Sequence, residues 1–401
     1  MRGSALVIGA GIAGLTTGIA LRRAGWDVTV FERSPDLGAL QAGGGIHLWH
    51  NGMRVLDDLG IADQVCAVGW RQRVAEFCTW RGDVLASWPI AAHEDRFGVP
   101  TLGVSRADLQ PVLVGALDAR LRLGASCNGV RDEGGQVAAT FADGTLARGD
   151  VLIGADGLNS TIRAAMVTES APRYAGYTIW QAITDFAHDQ VPAGTFRILY
   201  GRGSRFAYYH VGGGRLYWFG LTNAPARERD PEHGPRDRLR ALFAGWARPV
   251  AAIIEATAPA SIQRLDIRDR PPIRQWGRGR VTLLGDAAHP MTFNVGQGAC
   301  QAIEDAAVLA RCLTEADAAA ALRSYERLRH PRTAAITKRA WRLGAVAAWE
   351  NPIGCAIRDR VLHVVLSTAA LRAHERDMAF TALWSREKVT RCGSRRSSRP
   401  R

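Results

Sequence analysis

Lysine is nearly missing from this sequence: of 51 basic residues in 401, only Lys338 and Lys388 are lysines. Such an arginine excess reflects codon bias rather than selection for phosphate contacts. No aromatic-basic reading face accompanies it, so a nucleic-acid partner is not expected. The formal net charge of +13 owes five units to Arg391, Arg395, Arg396, Arg399 and Arg401 near the C-terminus. The remainder suits attraction of small anions. Seven cysteines include no Cys-x-x-Cys pair, which removes a zinc framework and a disulfide scaffold and fits the reducing cytoplasm. A membrane span wants about 20 apolar residues, and none is expected. The uncharged run ALVIGAGIAGLTTGIAL (5–21) is broken by its glycines into strand, turn and helix, so it is neither signal peptide nor anchor. A P-loop, a Ser-His-Asp arrangement and metal-ligand spacing are all missing, and His330 and His374 belong to no cluster.

What is present is glycine at a few chosen places. The length points to two or three domains at roughly 150 residues each. In ALVIGAGIAGLTTGIALRRAGWDVTVFER, Ala5 to Ile8 reads as a buried parallel strand, followed by G-x-G-x-x-G at Gly9, Gly11 and Gly14. Gly9 permits the tight turn, Gly11 lets the backbone approach a pyrophosphate, and Gly14 lets a helix over 12–24 pack on the sheet. That helix directs free N–H groups at the phosphates. A second strand, Asp27 to Phe31, ends at Glu32, placed to accept hydrogen bonds from a ribose. The unit binds a dinucleotide; it does not say which one.

DVLIGADGLNSTIR (150–163) repeats the logic of a strand, then Asp156-Gly157, then a helix start at Ser160. Asp156 falls at a carboxyl strand end, where ligands of open α/β sheets collect, or it caps the helix. From Arg173 to Asp266 the sequence turns β-rich and aromatic, with a hairpin RFAYYHVGGGRLYWFGL turned on Gly212 to Gly214. This is read as a separate antiparallel sheet, to which residues 73–97 add. Alternation puts Tyr217 and Phe219 on one face and Trp218 on the other. The late stretch GDAAHPMTFNVGQG (285–298) ends a strand over Val281 to Leu284 and opens a helix over 298–313.

GAGIAG (9–14), GADGLNSTIR (154–163) and GRVTLLGDAAHPMTFNVGQGACQAIEDA (279–306) together resemble the FAD-dependent aromatic hydroxylases of the para-hydroxybenzoate hydroxylase superfamily. VSRADLQ (104–110), RYAGY (173–177) and FAGWARPV (243–250) are most similar to its urate hydroxylase, salicylate hydroxylase and zeaxanthin epoxidase branch. The resemblance spans roughly residues 1–340. It implies that Gly9, Gly11, Gly14, Glu32 and Arg33 hold the ADP half of FAD, that Arg106 contacts the cofactor, and that Asp156 lies near the pyrophosphate. It implies further that Asp286 takes the ribitol hydroxyls and that Gly296, Gln297 and Gly298 lie under the isoalloxazine, where a helix N-terminus favours negative charge on reduced flavin. Phe293 stands where many relatives have proline, which alters the stiffness of this loop. His289 is read as packed and hydrogen-bonded.

The implied fold is α/β: a Rossmann-like FAD-binding domain with a parallel sheet (1–72, 98–170 and 268–340), a mostly antiparallel substrate sheet (73–97 and 171–267), C-terminal helices (341–390) and a disordered basic tail (391–401). Helical spacing continues over 315–384, broken at Pro331 and Pro352 and packed on the FAD domain. The implied activity is a monooxygenase using NADH or NADPH and O2 to hydroxylate or epoxidise a small aromatic or conjugated substrate through a flavin C4a-hydroperoxide, in a monomer or homodimer. Catalytic candidates are Arg205 and Tyr217, which match positions facing substrate in the urate hydroxylase pattern, and His47 and His210, each a generic acid or base. Arg205 as a solvated surface residue and Tyr217 as plain core remain the alternatives. A reductase or oxidase of the same fold, or a binding module that has lost its flavin, are the rival functions.

Overall fold

The computed structural model describes residues 2–38, 44–167, 170–230 and 234–380. Its parallel sheet runs Val281–Leu283, Val151–Gly154, Ser4–Ile8, Asp27–Phe31 and Arg120–Arg122. Near-continuous aliphatic runs supply its three central strands, as burial on both faces requires. Register brings Ile8 beside Gly154 and Gly154 beside Leu283. Three distant turns, at Gly9, Ala155 and Gly285, are therefore neighbours at one carboxyl edge.

The glycines of the first turn divide their work. Gly9 has φ +105°, and a Cβ on Gly14 would lie 1.8 Å from the Gly9 oxygen, so the Ile12–Arg23 helix cannot approach without glycine there. Gly285, at φ +59°, lets the Gly298–Glu315 helix pass close to Ala13.

The second sheet has seven strands in the order Gln263–Asp269, Arg173–Thr184, Leu216–Asn223, Ser204–His210, Thr195–Tyr200, Val74–Thr79, Val84–Trp88. All neighbours are antiparallel except Thr195–Tyr200 with Val74–Thr79. The long excursion between these two strands, through the first domain, permits a parallel pairing that a hairpin forbids. Alternation sorts the aromatics as expected. Tyr209, Tyr217 and Phe219 face the first domain, while Phe206, Tyr208 and Trp218 pack under the Arg248–Ala256 helix.

Two expectations for the C-terminal part need correction. The Ala318–Ala347 helix runs through Pro331 without a break, although an interior proline costs about 3 kcal/mol or more. Buried Arg329, with Arg332 a turn on, is clamped to the Gly298–Glu315 helix across the proline, and that anchorage outweighs the lost hydrogen bond. The domain boundary placed at residue 341 thus falls inside one continuous helix. Pro352 does start the Pro352–Val365 helix. This helix covers the second sheet rather than the FAD domain: Leu362 and Leu366 are buried with Phe77 and Trp88, and Trp88 Nε1 donates to the Leu366 oxygen at 2.7 Å, whereas the Leu371–Met378 helix after it returns to the FAD domain, where Asp377 pairs with Arg332. The basic tail at 391–401 lies outside the described residues.

Glu304, Asp305 and Arg329 are fully buried. Arg329 donates to Glu304 Oε2 and Asp305 Oδ1, both at 2.6 Å, and Arg332 adds two bonds to Glu304 at 2.7 and 2.8 Å. Removing one partner strands charge in the interior. Arg329→Met should therefore lower unfolding free energy by about 3–5 kcal/mol in a denaturant titration; an unchanged midpoint would count against the cluster as a structural anchor.

Candidate active site

At the carboxyl edge of the parallel sheet, Glu32 is buried, with Oε2 accepting from Ala10 N at 2.8 Å and Oε1 from Ser34 N at 2.9 Å. Each oxygen keeps a further lone pair. Arg33, next along, is exposed. Gly11 faces open space: a Cβ there meets nothing within 4 Å, in contrast to Gly9 and Gly14. Asp156 does cap its helix, Oδ2 accepting from Thr161 N (2.7 Å) and Ile162 N (3.3 Å). Its other oxygen is buried without a partner, and burial raises its pKa.

Asp286 follows the Val281–Leu283 strand in a single turn, and no hydrogen bond among the described residues engages its carboxylate. It is open to solvent within a protein-walled cleft; those walls push its pKa up, against His289 and Arg106, whose positive charges act downward. Arg106 stands across the cleft at the start of the Arg106–Gly115 helix, capped by Ser105. Gly296, at φ +62°, turns the chain before Gln297 and the Gly298–Glu315 helix. Gln297 Nε2 is buried and unpartnered, and the space beside Gly298 is open.

The turn carrying Asp286 is held from three sides. Gly285 N donates to Asp305 Oδ2 at 3.0 Å, and His289 Nε2 lies 2.6 Å from the same atom. Burial alone would raise the Asp305 pKa, but His289 and Arg329 hold it below its ordinary value. Arg163, from the GADGLNSTIR segment, donates to the oxygens of Ala287 and Ala288, both at 2.9 Å. Burial and Arg270 lower its pKa to about 10. His289 is packed and bonded, as read from the sequence. Arg163 and Asp305 were not singled out there, because a charged residue inside a helical segment carries no sign of where its charge ends up.

Across the cleft, the aromatic face of the second sheet that turns to the first domain is buried and walls the substrate side. Tyr217 donates to Gln181 Oε1 at 2.8 Å, and burial raises its pKa. Its ring lies 5.0 Å from Tyr209, which stacks on His47 at 4.1 Å. His47 Nε2 has no partner, and burial drives its pKa down to about 3. Arg205 is 2% exposed. It donates to Asn294 Oδ1 at 2.6 Å, while Nε and Nη2 find no acceptor. Phe293 turns its ring edge to Phe219 at 5.1 Å.

The structure does not bring His210 to this chamber. It follows Tyr209 in the strand and so points to the other face, against Trp70 at 5.4 Å. Two residues were missed. Trp49 donates to the Gly296 oxygen at 2.9 Å, and His374 lies 4.4 Å from Trp49 and 5.0 Å from Trp88. His374 therefore does join a cluster, contrary to its isolation in the sequence, and burial there pushes its pKa down to about 3. Among the described residues no group of side chains could hold a metal ion, and no helix is long and apolar enough to cross a membrane.

Residues 2–340 match the FAD binding domain family. The chain belongs to it. The aurachin C monooxygenase/isomerase of Stigmatella aurantiaca is 41% identical over 383 residues, covering 94% of this chain and 98% of that protein. The 3-amino-4-hydroxybenzoate 2-monooxygenase of Streptomyces cremeus is 39% identical over 368 residues, covering 88% and 90%. The structure of Klebsiella pneumoniae HpxO complexed with FAD and uric acid superposes with a TM-score of 0.86 at 30% identity, covering 94% of this chain and 96% of that one. The protein is an FAD-dependent monooxygenase. Its cleft fits the cofactor: the free Asp286 carboxylate, the unpartnered Gln297 amide and the open faces of Gly11 and Gly298 are what a polar, extended dinucleotide would satisfy.

His47 and His374 are neutral when folded but titrate near pH 6.5 once unfolded. Between about pH 6.5 and 3 the unfolded chain takes up protons that the folded one refuses, so stability is full above that range and falls as pH drops through it. His47→Gln should flatten this slope in denaturant midpoints measured against pH, whatever it does to their height at neutral pH.

Proposed function

We propose that this monooxygenase oxygenates a flat aromatic or conjugated ring carrying an anionic or enolic oxygen, seated between the flavin and the aromatic face of the second sheet. The observation that carries this reading is Arg205: a buried guanidinium with two nitrogens lacking acceptors on the chamber face. Burial lowers its pKa, yet an arginine stays charged. An anion could meet both free nitrogens with paired charge-assisted bonds. The uric acid held by the similar Klebsiella protein is such a flat, ionisable ring.

Bound FAD supplies the redox chemistry, accepting electrons from NADH or NADPH and activating O2 for transfer to the substrate. The chain's own residues bind and orient. Gly11 offers backbone to the pyrophosphate at the helix N-terminus, Glu32 offers its spare lone pairs to the ribose with Arg33 alongside, and the free Asp156 oxygen faces the same edge. Asp286 would take ribitol hydroxyls, with Arg106 opposite. Gly296, Gln297 and Gly298 present the start of a long helix to the pyrimidine end, where its dipole favours negative charge. Tyr217, kept protonated by burial, serves as a fixed donor and wall rather than a base. His47 is too weak a base for general base catalysis near neutrality and instead presents Nε2 as an acceptor beside Tyr209. The sandwich of Tyr209, Tyr217, Phe219 and Trp49 keeps water from the reacting centre. The free cysteines among the described residues support work in a reducing cytoplasm.

Gly11→Val should give a folded but colourless protein, because the new side chain enters only the cofactor cradle; Gly14→Val should instead fail to fold. Circular dichroism and flavin absorbance distinguish the two. For substrate, urate, salicylate and 3-amino-4-hydroxybenzoate are to be screened for stimulated NAD(P)H oxidation, with labelled dioxygen traced into product. Arg205→Ala should raise KM for the best of them about 10- to 100-fold, the worth of a charged hydrogen bond. Unchanged affinity would overturn the seat assigned to the anion.

A further inference from the structure

The Pro352–Val365 helix is apolar on two opposite faces. Cys355 and Leu362 point inward with buried Arg358, toward the second sheet. On the other side, the helical period of about 100° per residue gathers Ile353, Ile357, Val361 and Val364 into an arc of about 80°. Their exposures are 72, 56, 52 and 58%. Ten large hydrophobic side chains are exposed among the described residues; these four are in one row, and Trp349, 43% exposed, precedes it by a turn. Singly exposed aliphatics need no explanation, but a contiguous row does. A surface helix ordinarily turns a polar face to solvent, and this one turns an apolar row there.

Most of the acids around the row are paired, and Glu350, which accepts from Asn223, is the one exposed carboxylate beside Trp349 without a cation among the described residues. Asp359 is paired with Arg358, Glu375 with His93, and Asp377 with Arg332 and Arg339. Arg360, Arg372 and Arg376 are exposed and have no acidic partner among the described residues. Arg360 sits one turn from both Ile357 and Val364, at the edge of the apolar arc. Past residue 380 the sequence adds Arg386, Lys388, Arg391, Arg395, Arg396, Arg399 and Arg401 against the single acid Glu387.

We propose that this face docks peripherally on an anionic lipid bilayer. An apolar arc seats a few ångströms below the headgroups, and neighbouring cations meet lipid phosphates, which is the two-signal logic of interfacial helices. A second copy of the chain fits less well. The 14-residue helix is about 21 Å long, and its four exposed aliphatic side chains present on the order of 400 Å², against about 800 Å² per partner in a stable protein interface. A bilayer asks for no such matched area. The same helix and the Leu366–Ala370 turn after it roof the aromatic chamber through Leu362, Leu366 and His374, so docking sets that roof against the membrane. The proposal does not depend on which ring is oxygenated.

The test is flotation of the full-length holoenzyme with vesicles of phosphatidylcholine alone or mixed with phosphatidylglycerol. The wild-type chain should float with the mixed vesicles at low salt, far less with phosphatidylcholine alone, and a variant carrying Ile353→Ser, Ile357→Ser and Val361→Ser should bind at least about tenfold more weakly. Unchanged flavin absorbance and melting temperature establish that the variant is folded. If it is not, Ile353→Asp, at the most exposed position, takes its place. The proposal is overturned if the wild type binds neither vesicle, if the substituted chain floats equally well, or if gel filtration shows a dimer that the substitutions dissociate.

Discussion

A buried cluster of opposite charges, Glu304 and Asp305 with Arg329, is the constraint on which the site rests. Two carboxylates on successive residues of the Gly298–Glu315 helix cannot stay ionised in an interior without cations, and Arg329 and Arg332 reach them from the next helix. The cluster extends outward in useful directions. Asp305 holds the Gly285 amide and His289, and Glu304 accepts from Asn51, which also donates to Gln297. The turn before Asp286 and the residue before Gly298 are thus tied to the same few charges. Ion pairs of this kind add little net stability over apolar packing but penalise misplacement heavily. That suits a site needing a fixed helix N-terminus and a fixed carboxylate a short distance apart.

The chamber is governed by a different rule, the two-residue alternation of the second sheet. One face of the hairpin packs under helices as ordinary core, and the other carries Arg205, Tyr209 and Tyr217 toward the first domain. The same alternation that selects these residues excludes His210. Where the faces meet the flavin domain, Arg205 is met by Asn294 from the Phe293–Val295 turn, so the loop that supports the helix start also supports the substrate side. Phe293 packs its ring into this junction against Phe219 and Tyr177.

Much of the cofactor half was legible from residues alone. Gly9 and Gly14 are required by local geometry, since a side chain at either collides with backbone within the same βαβ unit or its neighbouring strand. Aliphatic runs marked the parallel strands, and alternating aromatics marked the second sheet together with its two faces. Signals of this kind are local: they depend on spacings of two to five residues, which a sequence displays directly.

Long-range partnership was decided only in three dimensions. Pro331 looked like a helix end because proline disfavours helix interiors, yet Arg329 and Arg332 anchor the helix on either side of it. His374 looked isolated until the last helices folded over the second sheet and put it between Trp49 and Trp88. Arg163 and Asp305 gave no local sign of burial, since the energy of a buried charge depends on partners dozens or hundreds of residues away, as Ala287 is from Arg163 and Arg329 from Asp305. From the sequence alone came the elements and the family they imply, because backbone sterics and hydrophobic period act between near neighbours. Which charges, rings and helix ends meet was settled by tertiary packing, because electrostatic satisfaction and burial are properties of an environment rather than of a residue.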